Sequence, residues 1–293
     1  MPWRPFLLGI TILAVAAVSA RCDEANWRAV AEALGKAGAE TPDGVYRVGL
    51  PRTDLKVIVD GVELKPALAL GSWLAFRLTG EKAAVMGDLV LTGEEVSPAM
   101  KKLAATGIEV TALHNHLLRA LPATFYMHIR AYGDPVKLAA ALRDGLALSH
   151  TPLAALSTAL APLNLDTTMI DHIIGVLGKA NGGVYQLSLK RSGTVSDAGM
   201  VVSDTMGTAE VINFQSTGEG NAAISGDLVL TADEVNPVLK ILRDNDIEVT
   251  ALHNHMLDDE PRLFFVHFWA NDDLAKLAAG LRAALDYIAI AKQ

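Results

Sequence analysis

Short runs of alternating apolar and polar residues, bounded by glycine, asparagine and aspartate, recur along this chain and predict strands. In the first half they are Val45 to Leu50, Lys56 to Asp60, Leu74 to Leu78 and Val85 to Leu91; in the second they are Val184 to Leu189, Val211 to Phe214 and Ile224 to Leu230. Helical periodicity takes over at the end of each half. Pro135 to Leu148 forms one amphipathic segment, and Asp273 to about Ile290 forms another, with Leu274, Leu277, Leu281, Leu285 and Ile288 on one face. Earlier helices are expected around Trp27 to Lys36 and around Met169 to Lys179. A further short helix in each half is expected to start at Ser97-Pro98 and Asn236-Pro237, a capping side chain before a proline at the first helical position, and Gly107 ends the first of them.

The order of elements is the same twice because the sequence itself repeats. Gly87-Asp88-Leu89-Val90-Leu91-Thr92 returns as Gly226-Asp227-Leu228-Val229-Leu230-Thr231, and Gly44-Val45-Tyr46 returns as Gly183-Val184-Tyr185. A period near 139 residues is too long for a solenoid, so two domain-sized units are expected. The fold class is α+β: two tandem homologous repeats, each a mostly antiparallel sheet with packed helices. Repeat 1 is expected over residues 21–148 and repeat 2 over 164–293, joined by a linker at 149–163 that contains Pro152 and Pro162.

The longest repeated block carries the chemistry. Ile108 to His116 reads Ile-Glu-Val-Thr-Ala-Leu-His-Asn-His and returns unchanged as Ile247 to His255; each copy is followed twelve residues later by another histidine, His128 or His267. Six of the eight histidines thus belong to two copies of one pattern. On a strand, His253 and His255 point the same way, and the turn at Asp258-Asp259-Glu260-Pro261 brings His267 back beside them. Three imidazoles on one hairpin face suit a divalent transition metal, zinc first, with copper, nickel or iron compatible with the same donors. Glu260 is the candidate fourth ligand or general base. The equivalent trio in repeat 1 is His114, His116 and His128, but Leu121 stands where Glu260 would be, so repeat 2 is the better candidate for activity.

A single His-x-His on a strand is more often a hydrogen-bonding pair; recurrence of all three histidines is what argues for a ligand set. Asn115 and Asn254 face away and are expected to be buried hydrogen-bonding groups. Asp88 and Asp227 fit turn or strand-start bonding better than a role beside the metal. Glu95 and Glu234, three residues after Thr92 and Thr231, have capping-box spacing. Trp269 belongs to the core or lines a pocket near His267, and His150 and His172 lie outside the pattern.

The amino terminus points to export. Arg4, the apolar run Phe6 to Val18 and the small residues Val18-Ser19-Ala20 read as a signal peptide over residues 1–20. Its removal leaves 24 Lys+Arg against 33 Asp+Glu, a charge of −9 that disfavours nucleic acid as a partner. No transmembrane span is expected after processing, and a periplasmic or extracellular location follows. Cys22 could carry a lipid anchor, but Arg21 before it argues against one. With one cysteine no internal disulfide can form, and neither a glycine-rich phosphate loop nor a Gly-x-Ser-x-Gly elbow is present.

At Gly226 to Leu230, Thr250 to His255, Glu260-Pro261-Arg262 and His267-Phe268-Trp269 the chain resembles the LppY/LpqO family of bacterial exported proteins and lipoproteins, whose repeat is a domain of unknown function. The resemblance covers nearly all of the mature chain and implies export without implying an activity. The spacing of the three histidines is also similar to the zinc site of acetolactate decarboxylase, an analogy of spacing alone. Two functions are therefore expected to compete. In one, a metal at repeat 2 acts as Lewis acid on a small carbonyl or carboxylate substrate in a lyase or hydrolase reaction. In the other, the protein is a non-catalytic module that binds metal or a cell-envelope ligand. A structural role in which the histidines only hydrogen-bond is the third.

Overall fold

The protein is described by a computed structural model covering residues 27–154 and 162–292. The expected signal peptide and Cys22 lie outside the described residues, as do residues 155–161 of the expected linker. The fold is α+β and built twice. In repeat 1 a helix α1 over residues 27–34 is followed by β1 (Ala39–Glu40), β2 (Val45–Pro51), β3 (Gly71–Thr79), β4 (Lys82–Thr92), helix α2 (Gly93–Ala105), β5 (Glu109–His114), β6 (Thr124–Gly133) and helix α3 (Pro135–Leu146). Repeat 2 has α4 (Thr167–Ile174), β7 (Lys179–Asn181), β8 (Val184–Leu189), β9 (Glu210–Gly218), β10 (Asn221–Leu230), α5 (Ala232–Asp244), β11 (Glu248–His253), β12 (Phe264–Asp273) and α6 (Leu274–Leu285). Each repeat forms one antiparallel six-stranded sheet, in the order β1-β2-β3-β4-β6-β5 and its counterpart β7-β8-β9-β10-β12-β11.

Strand alternation gives each sheet two apolar faces. Val85, Leu89, Leu91, Met127 and Ile129 face the helices of repeat 1, packing on Trp27, Val30, Ala99, Leu103 and Leu142. Ile224, Leu228, Leu230, Val266 and Phe268 do the same in repeat 2. Residues of opposite parity face the other repeat. Val90 and Tyr126 pack with Val184, while their counterparts Val229 and Phe265 pack with Val45. The sheets are therefore the two inner layers of a sandwich with helices outside, related by an approximate two-fold axis between the repeats.

Each repeat also sends an arm across its neighbour's sheet from the connection after its second strand. The first arm carries a hairpin (Ile58–Val59 with Val62–Glu63) and the short helix Pro66–Ala69. It is tied down where Asn213 Nδ2 donates to the Leu68 carbonyl at 3.0 Å and Gln215 Oε1 accepts from the Lys65 amide at 2.8 Å. The second arm, with strands Val195–Asp197 and Met200–Val202 and a 3-10 turn Asp204–Met206, crosses β3 and β4. Arg130 pins it through Asp197 and Asp258, each at 2.9 Å.

The helices expected at Ser97-Pro98 and Asn236-Pro237 begin five residues earlier. Thr92 and Thr231 are the N-caps, each with a reciprocal capping box to Glu95 and Glu234, and Pro98 and Pro237 lie inside their helices. A box satisfies two free amide groups at once, whereas a proline this near the start removes only one helical bond. The same glutamates also bind buried arginines. Arg52 donates to Glu95 Oε2 and to the Val90 carbonyl, both at 2.7 Å, and Arg191 repeats the arrangement with Glu234 and Val229. Among the described residues no helix is long and apolar enough to cross a membrane.

Candidate metal centre between the repeats

The six repeated histidines come together, but as one cluster at the contact of the two sheets. Local geometry explains how they reach it. Ile108 and Val110 face the helices of repeat 1, and a regular strand would send His114, at the same parity, after them. The β5–β6 register slips between Val110 and Ala112, so Thr111 is the extra residue of a β-bulge and the strand changes face. Ala112 then pairs with His128, and His114 with Tyr126, on the inter-repeat side. Thr250 does the same between Val249 and Ala251, bringing His253 opposite Phe265 and Ala251 opposite His267. His116 and His255 follow just beyond the strand ends and are buried.

Ring stacking joins the two repeats. His114 lies 3.4 Å from His253 between ring centroids, His116 lies 3.4 Å from His267, and His128 lies 3.7 Å from His255. Tyr126 and Phe265 stack on the outer sides of His116 and His255 at 3.3 and 3.4 Å. The potential ligand atoms of His114, His116, His253 and His267 all lie within 4.8 Å of one another, and so do those of His114, His128 and His255. The trio expected inside repeat 2 is thus divided, because the partner repeat supplies rings at equal range.

Two carboxylates complete the cluster. Asp88 sits opposite His128 in the sheet, with Oδ1 3.8 Å from its Nε2, and groups with His116 and His128. Asp227 sits opposite His267 and groups with His255 and His267. Its Oδ1 is 2.8 Å from His267 Nδ1, but that nitrogen is aligned on the Gly226 carbonyl at 3.1 Å, so the carboxylate oxygen has no hydrogen-bond partner. Sequence spacing held the signal for both acids, in the repeated Gly-Asp dipeptide, yet turn bonding was the simpler reading of it. Glu260 lies elsewhere. It is exposed on the short strand Asp259–Glu260, which pairs with Ser196 and Asp197 of the second arm, and it belongs to none of the histidine groups. Its neighbour Asp259 turns inward to accept from Arg262 and the Leu263 amide.

Other candidates have structural partners. Asn254 Nδ2 donates to the Leu263 carbonyl, Trp269 Nε1 donates to Asp60 at 3.0 Å within an apolar cluster, and His150 is exposed beside Glu95. His172 is exposed on α4.

Burial and mutual proximity set the protonation of the cluster. Desolvation, then the neighbouring imidazoles, hold His114, His116, His128 and His255 well below the usual histidine range, and the same causes bring His253 down to about 4. Neutral imidazole is the metal-binding form. His253 and His267 each direct Nδ1 at a backbone carbonyl, of Asn254 and Gly226, which leaves Nε2 with its lone pair. Buried atoms without partners converge here: Nε2 of His128, His253, His255 and His267, Nδ1 of His114, and Oδ1 of Asp88 and Asp227. Burial, then the charge of Asp227, push the Asp88 carboxyl well above the carboxylate range. Native proteins rarely leave so many buried polar atoms unsatisfied in one place, and a cation would answer all of them. The donors, nitrogen with oxygen, fit a first-row transition metal.

Residues 28–148 and 168–287 each match the protein family described as Domain of Unknown Function (DUF1259), and the chain belongs to that family as two tandem copies. No curated protein matches it. Among solved structures, a trimeric bacterial microcompartment shell protein, PduB, aligns at 12% identity over 85% of this chain and 89% of that one, with a TM-score of 0.22. EtuB from Clostridium kluyveri aligns at 8% identity over 85% and 90%, with a TM-score of 0.19. Similarity at that level carries no argument about fold or function.

Proposed function

We propose that this protein is an exported metal-binding protein whose two repeats jointly hold a divalent transition metal, zinc in first place, and that it belongs to the LppY/LpqO group. The observation that carries the reading is that seven buried, unpartnered polar atoms belong to residues of both repeats that fall into overlapping groups with potential ligand atoms within 4.8 Å of one another. His116, His267, His114 and His253 would supply one ligand set, and His128 and His255, with His114, the other. Asp88 and Asp227 would balance charge or complete a coordination sphere. A bound ion would supply the positive charge that these buried nitrogen and oxygen atoms lack.

The non-catalytic form of this reading is favoured over a lyase or hydrolase. The crevice touching His128 and His255 has a volume of about 10 Å³, enough for a water or an ion and too little for an organic substrate. Elemental analysis of the untagged, chelator-free mature protein is the test. Transition metal bound in the wild type, and lost in His116→Ala and in His267→Ala alike, is the expected result. Wild type that takes up no metal even after reconstitution would overturn the reading. Metal lost only when repeat 2 is altered would return the site to one repeat.

A further inference from the structure

The two flanks of the histidine cluster are not alike. On one flank the apolar residues Leu64, Leu68, Leu117, Tyr126 and Trp269 close the space between the sheets. On the other, the crevice against His128 and His255 is lined by Met86, Met206 and Met256 together with Trp73. The repeat does not account for these methionines. Met86 corresponds to Ser225 and Met256 to Leu117, and Met206 stands on the 3-10 turn of the second arm. Met86 and Met206 also line a second cavity of about 150 Å³, which Met200 shares and which lies beside the ion pairs of Arg130 at the margin of the molecule. Half of the chain's eight methionines therefore line these two cavities, which share Met86 and Met206.

Methionine is an ordinary filler of irregular cores, and Met206 and Met256 do belong to an apolar cluster. Met86, partly buried, packs against the same cluster, yet filling alone does not explain why these methionines gather where two cavities are lined. The thioether is an uncharged, soft donor that discriminates between metals. It selects copper(I) over zinc, whereas imidazole accepts either. Thioethers at two cavities that share Met86 and Met206, the inner one reaching His128 and His255, offer a monovalent soft cation donors to exchange for its water and offer a hydrated divalent ion none before the imidazoles.

We propose that the metal this centre receives is copper(I), admitted from the outer cavity past Met200, Met86 and Met206 to Met256 and passed by ligand exchange to His128 and His255. The inference rests on the metal-binding reading above, keeps its imidazole site and replaces its divalent ion with monovalent copper. The step is ligand exchange alone, with no change in oxidation state.

The test is the rate and extent of metal transfer to the mature apoprotein, anaerobically from the bicinchoninate complex of copper(I), and in parallel from zinc sulfate. The Met86→Leu/Met206→Leu/Met256→Leu variant keeps volume and removes sulfur. Copper(I) uptake by wild type, slowed at least tenfold in the variant while zinc uptake is unchanged, is the expected result. Equal copper(I) rates in the two proteins overturn the inference, as does a wild type that takes zinc but not copper(I); both outcomes leave the metal-binding reading standing. A wild type that takes neither overturns both. Should the triple variant fail to fold, Met86→Leu alone, at the partly buried position, is expected to slow copper(I) uptake in the same direction, and an unchanged rate there overturns the inference equally.

Discussion

His116 of the first repeat stacks on His267 of the second at 3.4 Å, and the two-fold counterparts His255 and His128 stack at 3.7 Å. On the metal-binding reading each half finishes the other's ligand set, so metal binding and association of the repeats would be one equilibrium. An ion present at about a hundred times its dissociation constant adds about 2.7 kcal/mol to stability. For a chain of this size that corresponds to about 4–5 °C in Tm. Differential scanning calorimetry of the metal-loaded protein before and after chelation is expected to show a drop of that order. In His116→Ala chelation is expected to leave Tm unchanged, because one lost ring disables a centre that spans both repeats.

The bulge at Thr250 decides which face His253 presents. Deleting Thr250 removes the extra residue and leaves the pairing on both sides of it intact, with Val249 opposite Phe268 on the helix side and His253 opposite Phe265 on the inter-repeat side. Since β11 is an edge strand, the deletion disturbs the ladder with one neighbour only. The deletion variant is expected to fold with a metal affinity close to that of wild type, because His253 keeps its place opposite Phe265. A metal affinity at least about tenfold weaker, by equilibrium dialysis, would show that the local twist of the bulge, and not only the face it selects, positions the ring.

The same bulge marks how far the sequence could be read. Alternation in Val184 to Leu189 predicts a strand that the structure reproduces residue for residue, and the repeated blocks predict the α+β order of both halves. The gathering of the six histidines needs two facts that a linear pattern does not carry. One is the one-residue slip at Thr111 and Thr250, which depends on pairing with β6 and β12. The other is that each sheet has a second apolar face, visible in Val90 and Tyr126 only once Val184 is seen against them. Without these, each histidine trio reads as its own site, and Glu260 looks like the nearest acid, although Asp88 and Asp227 lie in the neighbouring strands. The second arm, with strands Val195–Asp197 and Met200–Val202, has too few residues of regular pattern to announce itself.

Arg52 is 1% exposed, yet it carries a charge matched by Glu95 and Asp54. Arg52→Met keeps most of the bulk and leaves Glu95 buried without its partner, with the Val90 carbonyl also unbonded. Breaking a buried pair from one side costs about 3–5 kcal/mol. Urea unfolding at neutral pH is expected to show a loss in that range for Arg52→Met, and a smaller loss for Arg52→Met/Glu95→Gln. A single-variant loss under about 1 kcal/mol would mean that Glu95 finds solvent or another cation.

Glu210 stands where repeat 1 has Ser72, and both accept a hydrogen bond from the amide of the facing strand, Val229 and Val90. The serine is neutral at every pH. Glu210 is fully buried, its Oε1 has no partner, and desolvation pushes its carboxyl well above the glutamate range. In the unfolded chain the group ionises near pH 4.3, while in the fold it stays protonated to a higher pH. The unfolded state therefore binds fewer protons across that window, and stability falls as pH rises through it. Each unit of upward displacement is worth about 1.4 kcal/mol. Glu210→Gln keeps an acceptor for the Val229 amide and cannot ionise. Its stability relative to wild type, from urea unfolding, is expected to be near zero or slightly negative at pH 4 and to grow more favourable as pH rises to 8. A difference that does not change with pH would mean that Glu210 is ionised in the fold, with Arg191 supplying more compensation than its place beside Glu234 suggests.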